Sequence, residues 1–464
     1  MKAHYRTAVV ETACEPLEIA VGLAESALFD TYVIYETPGG WSIANGVAAE
    51  VTVDAQVIRS SVFGSCREEP WSGDPLAAVR KFLDDLPVTD WAAYGWCAFE
   101  LSHAIAGMEV DGQRLLHLVV PETEVRLSGS RATLRSLNAS SLADVEDVLA
   151  RIASDAATGA TEARLDQLTS VPVRLDLGAE EYRRSVASLV EEIRVGKLQK
   201  AILSREIPLE DEIDFPAGYR QGRRENTPAR SFLFDMGGLR CFGFSPETVL
   251  EVFEDGRVAS QPLAGTRALT GDPDLDRKLR EDLLSDPKEL HEHAISVKLA
   301  VDELAELCEP ESVFVEEFMS VKERGSVQHL ASKVVGRVPE GTSAWDAFAV
   351  VFPAITASGI PKHAAYQAIR RHERSHRGPY AGTVLKVTER GTMDAALVLR
   401  SVYAQGGRTW LRAGAGIVEQ SQPARELEET QEKLRSVATS VLARPKGAST
   451  APVGARPARA ESYR

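Results

Sequence analysis

The chain has 464 residues, enough for two or three ordinary domains or one large one, with 44% hydrophobic and 26% charged residues, as in a soluble globular protein. Its net charge of −15 argues against nucleic acid and against anionic membrane surfaces as partners. No stretch approaches the ~18 apolar residues that a membrane span needs.

Met1 to Glu11 lacks an apolar core followed by a small-residue cleavage site. Cys14, Cys66, Cys97, Cys241 and Cys308 are scattered, without zinc-type or CxxC spacing. A cytoplasmic protein with reduced thiols is expected.

Strand-like runs come first, at Thr31 to Tyr35, Ala93 to Phe99 and Leu115 to Val120, with a short amphipathic helix from Pro75 to Leu86. From about 140 to 175 the pattern is helical and polar and reads as a join between two lobes, 1–175 and 176–443. In the second lobe Tyr182, Val186, Leu189, Val190 and Ile193 recur at helical spacing over Ala179 to Val195, and Gly196 stops the helix. A strand from Leu198 to Ile207 follows. Hairpins are predicted over Ser231 to Phe244, turning at Gly237-Gly238, and over Pro246 to Pro262, turning at Asp255-Gly256.

A long helix starts near Pro287 and runs to about Cys308. Two further hairpins lie between Tyr380 and Ile417, and a last helix runs from Pro423 to about Ala443. Hairpins interrupted by long helices predict an α+β fold with antiparallel sheets layered against helices. The Ala-, Pro-, Gly- and Arg-rich end, 444–464, is expected to be disordered. No GxGxxG after a strand and no GxxxxGK[ST] is present, which disfavours nucleotide folds.

Both long C-terminal helices open on glutamates three apart, Glu289 with Glu292 and Glu426 with Glu429, so each pair shares a helix face. Facing each other, the two pairs would offer hard oxygen ligands suited to Mg²⁺, with the helix N-termini softening the carboxylate repulsion. Glutamates at this spacing are also common on solvated helices. His291 and His293, two apart, project to different sides and do not suggest zinc.

Several segments carry a family resemblance: Lys200-Ala-Ile-Leu-Ser-Arg205, Phe244-Ser-Pro-Glu-Thr248, Pro262-Leu-Ala-Gly-Thr-Arg267 and Lys288-Glu-Leu-His-Glu-His293. Further on come Gly325-Ser-Val-Gln-His-Leu330, the run from Phe352 to Lys362, Arg412-Ala-Gly-Ala-Gly416 and the run from Glu426 to Lys433. In order and spacing they resemble the chorismate-utilising enzymes, the group of anthranilate, isochorismate and salicylate synthases. Trp71-Ser-Gly-Asp-Pro75 and Tyr94-Gly-Trp-Cys-Ala-Phe-Glu100 are more specifically similar to the salicylate synthases of siderophore pathways. The resemblance implies the large fold of that family, two intertwined lobes around one active site, and it implies a monomer.

In that family a nucleophile adds at C2 of the chorismate ring while the C4 hydroxyl leaves. The resemblance implies that Lys200 activates water and that Glu247 protonates the departing oxygen, which requires a desolvated carboxyl; Phe242 and Phe244 are expected to help desolvate it. It implies Mg²⁺ on Glu289, Glu292, Glu426 and Glu429. It also implies Arg400 and Tyr380 on the enolpyruvyl carboxylate, with the backbone of Gly414, Ala415 and Gly416 close by. Gly265 and Thr266 should lie beside the C4 hydroxyl, Lys433 beside the carboxylate cluster, and His329 and Thr356 against the ring. Ala381 and Gln261 stand where relatives often have serine and glutamate, and they bear on fine specificity.

Aminating relatives typically carry glutamine where Lys200 stands and depend on a glutamine amidotransferase, so neither ammonia nor such a partner is expected. The reading is conversion of chorismate to isochorismate and on to salicylate. Isochorismate synthesis without the lyase step is the close alternative.

Overall fold

The structure is a computed structural model that describes residues 2–443; the tail expected to be disordered, 444–464, lies outside the described residues. The apolar runs of the first half form the strands Tyr32–Thr37, Ala92–Cys97 and Arg114–Val120. Between them the helix Pro75–Asp84 begins at an N-cap, Asp74, whose side chain accepts the N–H of Leu76. In the second half the helix Ala179–Arg194 buries Tyr182, Val186, Leu189, Val190 and Ile193 along one stripe, as its period required.

The strands assemble into two large antiparallel sheets, one of 11 and one of 12 strands. Both sheets draw strands from the beginning and the end of the chain. In the first, Tyr32–Thr37 pairs with Arg230–Met236. In the second, Ala92–Cys97 pairs with Thr383–Thr388. The sheets face each other across a core that includes Tyr35, Tyr94, Phe232, Phe234, Leu385 and Ala395. The outer face of the 11-stranded sheet is covered by the helices Pro16–Glu25, Ala139–Thr158 and Phe215–Glu225. A smaller cluster seats the helices Ala179–Arg194, Lys362–His372 and Pro423–Ala438 on the strands Lys200–Leu209 and Arg408–Ile417.

Polar side chains tie the facing sheets together. Asp394 on one sheet accepts Tyr35 Oη at 2.5 Å and Arg230 Nη2 at 2.6 Å from the other. Glu124 accepts the Tyr94 hydroxyl from the opposite sheet and Arg135 Nη1 at 2.5 Å. The side chains of Glu124 and Arg135 are 1% and 4% exposed. Removing Glu124 leaves the buried Arg135 paired with Asp90 alone and takes the acceptor from the Tyr94 hydroxyl, against a full cost of about 3–5 kcal/mol for breaking a buried ion pair. Glu124→Ala is therefore expected to lose about 2–4 kcal/mol in urea denaturation, whereas a loss below about 1 kcal/mol would contradict the tie.

The two predicted hairpins near residue 250 form with their turns at the expected glycines, Gly237-Gly238 and Gly256. Several elements had no expectation, among them the helix Pro273–Ser285, capped by Asp272, and the long hairpin Phe314–Arg324 with Val327–Arg337. The helix and the first strand of the hairpin have few buried residues, so periodicity gave them little signal. The last helix ends at Ala438, short of Ala443, because Leu442–Ala443 pairs with Thr169–Ser170 instead. Long-range pairing there overrides local helical preference.

Candidate active site

The edges of the two sheets meet at one cavity of about 950 Å³, measured with its open mouth. The 11-stranded sheet brings Lys200–Leu209 and Arg408–Ile417, and the 12-stranded sheet brings Leu263–Ala268 and Val327–Arg337. The helices Pro287–Ala305 and Pro423–Ala438 lie over these strands and start beside the cavity. Ile202, Leu263, Ala264 and Leu399 give it an apolar lining.

Glu247, at the start of the strand Thr248–Val252, is 2% exposed and lines the cavity. Its Oε2 accepts the Leu263 N–H at 2.7 Å and its Oε1 accepts the Thr356 hydroxyl. Burial pushes its pKa up to about 7, against those two donors and the positive charges of Lys200 and Arg400. Phe242 and Phe244 contribute nothing to that desolvation. They pack with Phe215 and Tyr219 on the far side of the sheet. Alternation along Leu239–Ser245 sends them there.

Lys200 is fully buried, and its Nζ lies 2.8 Å from Glu292 Oε1. Glu292 lines the cavity, whereas Lys200 is not among its lining residues. Its strand alternates as expected, Ala201 and Leu203 entering the small core while Ile202 faces the cavity. Gly414 and Gly416 line the cavity from the neighbouring strand, whereas Ala415 turns its methyl into that same core. A Cβ on Gly414 would sit 2.6 Å from Leu203 O and 2.9 Å from Tyr380 Oη, and one on Gly416 would sit 2.7 Å from Glu292 Oε1. At Gly414 the clash is with backbone, so no larger residue fits there, whereas at Gly416 a larger residue would displace the Glu292 carboxylate.

The four glutamates lie on the paired helix starts, and each is drawn to a cation. Glu292 meets Lys200. Glu289 meets Arg267 at 3.2 Å, Glu426 meets Lys288 at 3.5 Å, and Glu429 meets Lys433 at 2.7 Å. Among the described residues no three acidic, histidine or cysteine side chains converge on one point as they stand. The electrostatics nevertheless leave room for more positive charge. Burial and the neighbouring carboxylates raise the pKa of Glu289, and burial and Glu429 raise that of Glu426. Glu426 Oε2 is buried with no hydrogen-bond partner. Lys433 also donates to Gly414 O at 3.0 Å, joining the last helix to the cavity strand.

At the opposite end Arg400 is buried, with φ +50°. It donates to Arg324 O at 2.8 Å and to His329 Nε2, and among the described residues no carboxylate hydrogen-bonds to it. Burial, and Arg324 beside it, lower its pKa to about 10. A buried cation with no carboxylate hydrogen-bonded to it among the described residues, and only Glu247 acting on it from further off, can take an anion. Because His329 accepts at Nε2, it is neutral and carries its proton on Nδ1, which lies 3.0 Å from Thr266 Oγ1 and 3.3 Å from Gly265 O. Tyr380 lines the same wall with its ring between the guanidinium groups of Arg377 and Arg412. Arg412, Arg267 and Lys288 stood inside the motifs without an assigned part, and Arg377 stood outside them. Their only signal was charge, which does not tell a buried cation from a solvated one.

Residues 30–439 match the profile of chorismate binding enzymes. The chain belongs to that family. A salicylate synthase of Mycolicibacterium paratuberculosis is 41% identical over 92% of this chain and 93% of its own. The anthranilate synthase component 1 of Spirochaeta aurantia is 36% identical, but the match spans 56% of this chain and 54% of that protein. Among solved structures, anthranilate synthase component I of Streptococcus pneumoniae superposes with a TM-score of 0.69 at 25% identity, covering 87% of this chain and 92% of that one. The menaquinone-specific isochorismate synthase of Escherichia coli gives 0.70 at 20% identity, with 95% of each chain covered, and there the likeness is one of fold. The mixed helix and antiparallel-sheet architecture expected from the sequence is thus the architecture of this family. Among the described residues no helix is long and apolar enough to cross a membrane.

Proposed function

We propose that this chorismate binding enzyme is a salicylate synthase: it converts chorismate to isochorismate, then to salicylate and pyruvate. The observation that carries the reading is a buried carboxyl on the cavity, Glu247, whose pKa of about 7 keeps a proton available near neutrality, with the buried amine of Lys200 next to the lining residue Glu292. Lys200 takes a proton from the water that adds at C2. Glu247 gives its proton to the C4 oxygen, which leaves as water while the ring double bonds shift. Arg400, with no carboxylate hydrogen-bonded to it among the described residues, takes the enolpyruvyl carboxylate with Tyr380 beside it. Thr266 and neutral His329 line the wall near the C4 side, and Thr356 holds Glu247 in place.

Glu289, Glu292, Glu426 and Glu429 would hold Mg²⁺: all their donors are hard carboxylate oxygens, and Glu426 Oε2 awaits a partner. When bound, the ion supplies the positive charge that an acidic protein needs to accept the ring carboxylate of a dianion. The second step transfers the C2 hydrogen to the enolpyruvyl methylene within the substrate, so the protein contributes positioning and no further base. In this reading the enzyme acts as a cytoplasmic monomer without an amidotransferase partner, and its salicylate feeds siderophore assembly.

The test is to incubate the protein with chorismate and Mg²⁺ and separate the products. Equimolar salicylate and pyruvate are expected; isochorismate alone would establish the synthase without the lyase step, and anthranilate formed with ammonium would overturn both. Lys200→Gln is expected to cut chorismate consumption by about 10²–10⁴-fold, the usual worth of a positioned base. Unchanged product formation by that variant would remove Lys200 from the chemistry.

A further inference from the structure

One residue outside every motif connects the two halves of the proposed acid–base machinery. Arg377 lies in the loop between the helix Lys362–His372 and the strand Thr383–Thr388, and it is 2% exposed. Its Nη2 donates to Ile202 O at 2.7 Å and its Nη1 to Ala357 O at 2.9 Å. Ile202 follows Lys200 by two residues on the same strand face. Ala357 follows Thr356, whose hydroxyl donates to Glu247. Both Ile202 and Ala357 line the cavity. A single planar guanidinium thus spans the strand that carries the base and the turn that holds the acid.

The guanidinium is itself clamped. Glu373 accepts Arg377 Nε at 3.0 Å and Nη2 at 2.6 Å, and it also accepts Arg412 Nη2 at 2.7 Å and the Ser204 N–H at 2.8 Å. Phe99 covers one side of the guanidinium, its ring centroid 4.4 Å from Cζ, and the Arg377 backbone N–H donates to Glu100 at 2.7 Å. Fold stability alone would need only the ion pair with Glu373. The two carbonyl contacts add something an ion pair does not: a fixed separation between two cavity walls. Arginine suits this because its donors lie in one rigid plane, whereas lysine offers a single ammonium.

Resting on the assignment of Lys200 and Glu247 as base and acid, we propose that Arg377 is a positioning residue for the chorismate reaction, holding Ile202 and Ala357 so that the two groups keep their mutual geometry across the cavity. It touches no substrate. It acts on the reaction step and leaves binding nearly untouched, since a small misplacement of reacting groups lowers the rate far more than the affinity.

Arg377→Lys keeps the charge against Glu373 and loses the double carbonyl span. It is expected to lower kcat for chorismate consumption at least tenfold with KM within about threefold of wild type, and with a melting temperature showing a folded protein at the assay temperature. Thr356→Val, which removes the hydroxyl on Glu247, is expected to be non-additive with it, because both changes loosen the same wall. The alkaline limb of kcat/KM should also move up in Arg377→Lys as Thr356 loses its grip on Glu247; the other charged groups acting on that carboxyl, Lys200 and Arg400, are unchanged. Arg377→Gln, whose amide spans one carbonyl only, serves as the second variant. If both variants turn over at the wild-type kcat, or lose it only in proportion to the fraction unfolded, the positioning role is overturned. Absence of chorismate consumption by the wild type would instead overturn the assignment on which the role rests, and the role with it.

Discussion

Glu247→Gln is expected to lower kcat/KM for chorismate by about 10²–10⁴-fold while leaving the protein folded, because a general acid contributes in that range. Glutamine has the shape of the protonated acid. Its carbonyl oxygen can still accept the Leu263 N–H, which lies 2.7 Å from the present carboxyl, so the site keeps its packing. What it lacks is a proton to give to the leaving oxygen. The pH profile should carry the same signature. The active form of Glu247 is the protonated one, and burial places its pKa near 7, so wild-type kcat/KM should fall above about pH 7. The Gln variant should lose that limb. The same shift makes a stability statement of known sign: a carboxyl whose pKa is raised on folding adds stability at pH below its unfolded value, and loses it as pH rises through about 7. Thermal unfolding at pH 8.5 should therefore favour Glu247→Gln over the wild type. A Gln variant with wild-type rate and an intact limb would remove Glu247 as the acid.

Excess chelator is expected to abolish turnover, and Mg²⁺ to restore it. The physical ground is the crowding of Glu289, Glu292, Glu426 and Glu429, whose charges raise one another's proton affinity at Glu289 and Glu426. Binding should be visible without any reaction: an ion that binds only the folded chain stabilises it by about 2.7 kcal/mol at a hundredfold excess over its Kd, raising the melting temperature by a few degrees. Glu429→Gln should weaken that shift and the rescue together. Full activity in excess chelator, with a melting temperature indifferent to Mg²⁺, would remove the metal site.

Much of the fold was legible because its elements obey local rules. Helical spacing of Tyr182, Val186, Leu189, Val190 and Ile193 marked one helix, and turn glycines such as Gly237-Gly238 marked the hairpins. The long hairpin Phe314–Arg324 with Val327–Arg337 was not legible, since its first strand is largely exposed and its pattern polar. At the site, ordered motifs brought Glu247, Thr266, His329, Arg400 and Gly414 to one cavity. They did not show that Lys200 pairs with Glu292, that His329 accepts from Arg400, or that Phe242 and Phe244 turn away from Glu247.

The sequence by itself determined the family, the α+β class and the identity of the chemical groups, because these depend on residue types at fixed short spacings. Tertiary structure alone decided which of those groups are dry and which cation each carboxylate meets. Burial of Glu247 raises its pKa against the Leu263 N–H and the Thr356 hydroxyl, which come from distant parts of the chain, and the clamp of Arg377 joins Ile202 to Ala357. The pKa of a buried group and the registry of two walls depend on distances between residues far apart in sequence, which local spacing does not encode.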